Sequence, residues 1–223
     1  MMTASAKTKA LTATGIFFCL AVLFFLPVTI PCKLVFPVGC LFIASLGLNP
    51  WQICVALFFS AMGDLAGTCG NFLAQMGSFA VAHIFYIWFF GRRYLTKVEH
   101  DRKLTAKAKG YLAMILVCVA GLLAVAFGKI VPAAPEGVIR VGVGVYAVLI
   151  SAMLLAGLLQ RSTLYALGAV LFVFSDFILA WNRFIEPIPH RDYLVLVTYF
   201  LAQWLLFVRS TPYRIASLRP FRF

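Results

Sequence analysis

Charged residues are scarce in this 223-residue chain. Aspartate and glutamate number seven, and all charged residues together make up 12% of the sequence. Residues 34–63 and 65–91 contain no Asp, Glu, Lys or Arg. A helix needs about 20 apolar residues to cross a bilayer, so each of these stretches must contain a turn. With 63% hydrophobic residues and a mean hydropathy of +0.99, a water-soluble fold is excluded, because no chain this short could bury so much apolar surface.

Motifs of several common enzyme classes are also absent. The sequence contains no G-x-S-x-G, no H-E-x-x-H and no Walker loop, which removes support for a serine hydrolase, a zinc protease or an ATPase. Its six cysteines form no C-x-x-C pair, and no histidine stands at ligand spacing from them. We therefore predict no metal site and no cofactor. A disulfide between Cys32 and Cys69 stays open, because both could lie at the same membrane face.

The apolar segments predict an all-α fold, a polytopic membrane helix bundle of about eight transmembrane helices. Proline, glycine and asparagine clusters separate the segments. We treat residues 1–223 as a single integral membrane domain. Seven spans are an alternative, because the second span is short and the boundary at 158–162 is tight. The predicted spans lie near residues 11–28, 34–48, 51–67, 72–90, 110–128, 138–158, 162–181 and 193–209.

Basic residues are distributed unevenly between the predicted loops. If the N-terminus is cytoplasmic, 14 of the 19 Lys and Arg residues fall on the cytoplasmic side, seven of them within residues 92–109. The positive-inside rule then places both termini in the cytoplasm, and we predict a bacterial inner-membrane location. This asymmetry accounts for the net charge of +12, so we predict a lipid bilayer and no nucleic acid as partner. The sequence leaves the oligomeric state open.

Two of the seven acidic residues, Asp64 and Asp176, fall inside apolar spans, 112 residues apart. Each lies near the end of the third span of a four-span half, about 20 Å along a span that runs outward. This spacing suggests a parallel four-plus-four internal repeat with halves 1–109 and 110–223. An ionised carboxylate in lipid costs roughly 2.5–3.5 kcal/mol, so both side chains should face the bundle interior.

These two aspartates have a structural and a catalytic interpretation. A neutral aspartate can simply hydrogen-bond a neighbouring helix. Two facing aspartates would instead share a proton and supply a neutral acid and a carboxylate base at one site. Other polar residues in or beside the spans are candidates for substrate binding, although each also fits hydrogen bonding, packing or interfacial anchoring. They are Asn71, His83, Tyr86, Asn182, Arg183, Tyr199 and Gln203.

Around these positions the chain resembles the YhhN-like lysoplasmalogenase family. The specific similarity lies in residues 56–64 with 79–86, and in residues 168–184 followed by 199–205. Residues 67–70, Gly-Thr-Cys-Gly, depart from the more aliphatic family pattern and bear on substrate choice. The resemblance implies a membrane-bound ether hydrolase acting on a lysophospholipid. It would cleave the vinyl ether bond of lysoplasmalogens to a fatty aldehyde and glycerophosphoethanolamine or glycerophosphocholine.

Asp64 and Asp176 match the two acidic positions of that family. Vinyl ether cleavage begins with protonation of the β-carbon, which requires a neutral acid, and burial of a carboxyl group in apolar surroundings favours its neutral form. A nearby carboxylate would stabilise the oxocarbenium ion and deprotonate the attacking water. The sequence does not distinguish the acid from the base.

Three other functions are compatible with aspartates in spans. An intramembrane aspartyl protease also uses two, but Ala61-Met62-Gly63-Asp64 matches its G-x-G-D motif only in part. A proton-coupled transporter would use the acids as a relay and the repeat for alternating access. A membrane scaffold would need no chemistry.

Overall fold

A computed structural model describes residues 4–98 and 106–217. The structure describes only part of the basic segment 92–109. It does not describe the C-terminal arginines Arg219 and Arg222. Within those ranges every regular element is helical. The helices are α1 (Ala4–Phe25), α2 (Val35–Leu48), α3 (Trp51–Thr68), α4 (Phe72–Val98), α5 (Ala106–Val125), α6 (Val138–Leu158), α7 (Thr163–Phe184) and α8 (Arg191–Ser217). A π-helical segment, Ala126–Ile130, and a short turn, Val131–Ala133, continue α5.

The prediction of an all-α membrane protein is confirmed. Within the described residues, six helical segments are long and apolar enough to cross a bilayer: α1, α4, α5 with its continuation, α6, α7 and α8. All eight predicted spans overlap a helix. However, α2 has 14 residues, which is about 21 Å and shorter than the hydrocarbon core. The number of spans, the orientation and the internal repeat therefore stay predictions.

Glycine, proline and asparagine residues lie at the ends of the helices, where the sequence indicated breaks. Pro50 directly precedes α3, a position where its missing N–H costs nothing. Gly70 has φ +73° between α3 and α4, and Gly137 has φ +87° directly before α6. Such left-handed conformations favour glycine, which has no Cβ to clash. The turns at these positions therefore follow directly from local sequence.

The chain divides into two compact units. The first comprises the described residues up to Phe85 and those from Gln203 onward; in it α1 packs on α2 and α2 on α3. The second comprises residues 86–202, in which α5 packs on α6 and α6 on α7. Helices α4 and α8 contribute residues to both units. The predictions of one domain and of half-repeats 1–109 and 110–223 remain predictions.

Helices α6 and α7 approach closely where Gly157 faces Ala169. A Cβ added to Gly157 would lie 2.8 Å from the Cβ of Ala169, so alanine at this position would force the backbones apart. Small residues are what allow such close contact between membrane helices. The contact aligns the two helices that carry Tyr146 and Asp176, described below.

We expect Gly157→Ala to lower the free energy of unfolding by about 1–3 kcal/mol, because the added methyl group overpacks this contact. Thermal unfolding in detergent measures the change. Gly121→Ala is the matched control, since a Cβ there meets no atom within 4 Å. Equal melting temperatures for the two variants would contradict the close contact.

Candidate active site

Asp64 lies in the last turn but one of α3, with its side chain buried at 2% exposure. Gly63 brings α4 close to this turn, because a Cβ there would lie 2.9 Å from Cε2 of Phe79. Thr68 donates its hydroxyl proton to the Asp64 carbonyl oxygen at 2.9 Å. The acid is thus held at a tightly packed crossing of two helices.

Ser60 lies one turn before Asp64, on the same face of α3. Its hydroxyl is fully buried and makes no hydrogen bond to any residue that the structure describes. Buried hydroxyls usually have a partner, and an orphaned one calls for an explanation such as bound water or ligand. Ser60 and Asp64 therefore form a small buried polar patch on one face of α3.

His83 is fully buried on α4, and its Nδ1 lies 2.6 Å from the carbonyl oxygen of Phe79. Because a carbonyl can only accept, Nδ1 carries the proton and Nε2 presents an acceptor lone pair. From the sequence, this histidine could have a purely structural role through a hydrogen bond. The bond to the Phe79 carbonyl oxygen fits that interpretation. Gln203 of α8 is also fully buried in the same unit.

Asp176 lies on α7 in the second unit. Its Oδ2 accepts a hydrogen bond from the Tyr146 hydroxyl of α6 at 2.5 Å. The adjacent Ser175 donates to the Val195 carbonyl oxygen at 2.9 Å and so ties α7 to α8. Sequence reasoning missed Tyr146. The available signal was that it is the single aromatic residue of α6, and a phenol hydroxyl inside a span needs a polar partner.

Tyr86 and Tyr199, two predicted substrate-binding residues, are both buried in the second unit. Both rings pack against Phe172, with centroid distances of 6.4 Å and 5.6 Å. Edge-on aromatic contacts of this kind stabilise a core. The contacts give both tyrosines a packing role, and their part in substrate binding stays a prediction.

The predicted binding residues at the helix ends also have local structural contacts. Asn71 is exposed, and its Oδ1 accepts the Ala74 N–H at 3.0 Å, which caps the start of α4. The Oδ1 of Asn182 accepts the Ile188 N–H at 2.9 Å in the turn after α7. Arg183 is exposed, with its guanidinium 5.9 Å from the Phe184 ring centroid.

The predicted site residues divide between the two units. Asp64, Asn71, His83 and Gln203 belong to the first. Asp176 belongs to the second, together with the other predicted binding residues, which are Tyr86, Asn182, Arg183 and Tyr199.

The cysteines and other possible metal ligands form no recognisable centre in the described residues. All six cysteines are free thiols, so Cys32 and Cys69 form no disulfide in this structure. In residues 4–98 and 106–217 no cluster of three or more His, Cys, Asp or Glu side chains could hold a metal ion.

Comparison with known proteins gives one family and several named relatives. The YhhN family model matches residues 21–210. Human lysoplasmalogenase TMEM86B is 32% identical over 152 residues, covering 68% of this chain and 59% of the relative. Human lysoplasmalogenase TMEM86A is 32% identical over 168 residues, covering 70% and 63% respectively. The chain thus spans about three fifths of the length of these relatives. No solved structure matches it significantly.

Proposed function

Because the chain belongs to the YhhN family, we propose that it is a membrane hydrolase that cleaves the vinyl ether bond of lysoplasmalogens. The products are a fatty aldehyde and glycerophosphoethanolamine or glycerophosphocholine. The observation that carries the proposal is the family match over residues 21–210, which includes both Asp64 and Asp176. The relatives' names, lysoplasmalogenase, support the substrate class.

The proposed mechanism uses the two aspartates as an acid and a base. A neutral aspartic acid transfers its proton to the β-carbon of the vinyl ether, which leaves an oxocarbenium ion at the α-carbon. Water adds to that carbon while the second aspartate, as a carboxylate, removes a water proton. The resulting hemiacetal collapses to the aldehyde, and the glycerol oxygen leaves with a proton. Each catalytic cycle consumes one water, and proton return restores both aspartates.

The side chains around the aspartates support such chemistry. Asp64 is buried at 2% exposure, so bulk water does not compete with the substrate for its carboxyl group. The buried Ser60 hydroxyl one turn away could bind the attacking water or the substrate. Asp176 accepts a short hydrogen bond from Tyr146, an interaction that suits a carboxylate. No step of this mechanism calls for a metal.

Arg183 is our proposed contact for the substrate phosphate. It is exposed at the C-terminal end of α7, and it follows Asp176 by seven residues, about 10 Å along a helix axis. That separation, with the reach of an arginine side chain, accommodates a glycerophosphate group. A guanidinium pairs well with phosphate oxygens.

The remaining sequence-predicted residues and the topology complete the proposal. Six further residues remain proposed to bind the substrate: Asn71, His83, Tyr86, Asn182, Tyr199 and Gln203. The positive-inside distribution of basic residues supports cytoplasmic termini, and the bacterial inner-membrane location stays a prediction.

Aldehyde release from a purified, detergent-solubilised preparation tests this function. We expect the wild-type protein to release fatty aldehyde from a lysoplasmalogen. It should leave intact the saturated 1-alkyl ether with the same headgroup, because that ether lacks the carbon–carbon double bond that accepts the proton. No aldehyde from either the ethanolamine or the choline lipid would contradict the proposal. Solute uptake into proteoliposomes without aldehyde release would favour the transporter instead.

A further inference from the structure

A side-chain hydrogen bond joins Tyr146 of α6 to Asp176 of α7. The Tyr146 hydroxyl oxygen lies 2.5 Å from Oδ2 of Asp176. A hydrogen bond from a hydroxyl group is stronger when its acceptor is an ionised carboxylate than when the acceptor is neutral. The contact therefore favours the carboxylate form of Asp176.

The helices around this contact hold both partners in place. Gly157 and Ala169 bring α6 and α7 into close contact, and the Ser175 hydroxyl ties α7 to the Val195 carbonyl oxygen. Asp176 thus directly follows a residue that is hydrogen-bonded to α8, and is itself hydrogen-bonded to Tyr146 of α6. A phenol has a single proton and engages only one carboxylate oxygen, so Oδ1 of Asp176 can accept from another group.

Among the described residues Tyr146 is the one hydrogen-bond donor to Asp176. A hydrogen bond to the charged form stabilises that form relative to the same carboxyl group without a donor. A general base must be a carboxylate with an oxygen that can take a proton. The Tyr146 hydrogen bond favours the carboxylate form, and it occupies Oδ2 while Oδ1 remains for the proton.

We propose that Tyr146 is a positioning residue that holds Asp176 as the general base, which leaves Asp64 as the proton donor to the vinyl ether. This assignment rests on the proposed function and resolves the acid and base roles that the sequence left open. In the reaction, Oδ1 of Asp176 takes a proton from the water that adds to the oxocarbenium ion. Tyr146 keeps its own proton throughout.

Steady-state kinetics of Tyr146→Phe test the proposal, because the variant removes the hydroxyl and keeps the ring. We expect kcat to fall about 10- to 100-fold, the effect of losing one charge-assisted hydrogen bond. KM should change less than about threefold, since Tyr146 acts through Asp176 rather than on the substrate. Tyr111→Phe is the matched control: it removes a hydroxyl that donates to the Leu158 carbonyl oxygen in the same unit, and it should keep kcat.

A double variant separates positioning from a general structural effect. In an Asp176→Asn background, Tyr146→Phe should cause no further loss of kcat, because its partner is already gone. An unchanged kcat in the single variant, or losses that multiply in the double variant, would overturn the proposal.

Infrared spectra of protein labelled with ¹³C-aspartate provide a readout that does not depend on turnover. The difference between wild type and Asp176→Asn should contain a carboxylate band, which Tyr146→Phe shifts and Tyr111→Phe does not. A difference spectrum with only a carboxylic acid band would overturn the assignment of Asp176 as base. If wild type releases no aldehyde, the base role fails together with the proposed function, while the infrared result still decides whether Tyr146 binds the carboxylate.

Discussion

Asp64→Asn is expected to lower kcat for aldehyde release by about 10²–10⁴-fold, the usual contribution of a general acid or base. Asparagine keeps the shape of the side chain, but its amide cannot protonate the β-carbon of a vinyl ether. Since Asp64 is buried at 2% exposure, bulk water cannot easily replace it as the proton source. Capture of the released aldehyde under saturating substrate measures kcat directly.

Asp192→Asn is the matched control for this variant. Asp192 is exposed, and among the described residues it pairs with its neighbour Arg191 at 3.2 Å. The same change of atoms there should keep full activity. Melting temperatures of both variants would exclude unfolding as the reason for a loss. Full activity of a correctly folded Asp64→Asn protein would contradict the acid role.

Asp176→Asn should produce a loss of similar size, about 10²–10⁴-fold in kcat, because water would then attack without a base. It also converts the short bond with Tyr146 into a weaker one to a neutral amide. Combining it with Asp64→Asn should cost less than the product of the two single losses, since acid and base serve one reaction. Fully multiplicative losses, or wild-type rates for Asp176→Asn alone, would contradict an acid and a base that serve one reaction.

The helices and their turns could be predicted from the sequence because their signals are local. Long apolar stretches define the spans, and Pro50, Gly70 and Gly137 lie in the breaks between helices. The burial of Asp64 also followed from the sequence, because a carboxylate in a span is too costly to face lipid.

The contacts between helices could not be predicted in this way. The face of α6 that meets α7 depends on the approach of Gly157 to Ala169. That pairing of positions on two helices cannot be read from a single sequence. The Tyr146–Asp176 bond was missed for this reason. Tyr86 and Tyr199 were predicted to bind substrate as polar residues within spans. Their packing on Phe172 was not predictable from the sequence, and their role in binding stays a prediction.

The end of α5 also differs from the prediction. The fifth span was predicted to end at residue 128, but the helical path continues through the π-helical segment Ala126–Ile130 to Ala133. Pro132 suggested a break there, but a proline near the start of a new helical turn is tolerated. Periodicity averaged over a span does not reveal a local change from α- to π-helical hydrogen bonding.

The isotopic composition of the aldehyde formed in deuterium oxide tests the central claim most directly. Carbon protonation by an exchanged aspartic acid places one deuterium on the carbon next to the aldehyde carbonyl, and mass spectrometry detects it. Authentic undeuterated aldehyde, incubated in parallel, measures any exchange after release. We predict one deuterium per aldehyde from the wild-type protein and about 10²–10⁴-fold slower formation by Asp64→Asn. Aldehyde without deuterium, or no aldehyde at all, would contradict vinyl ether hydrolysis by the aspartate pair.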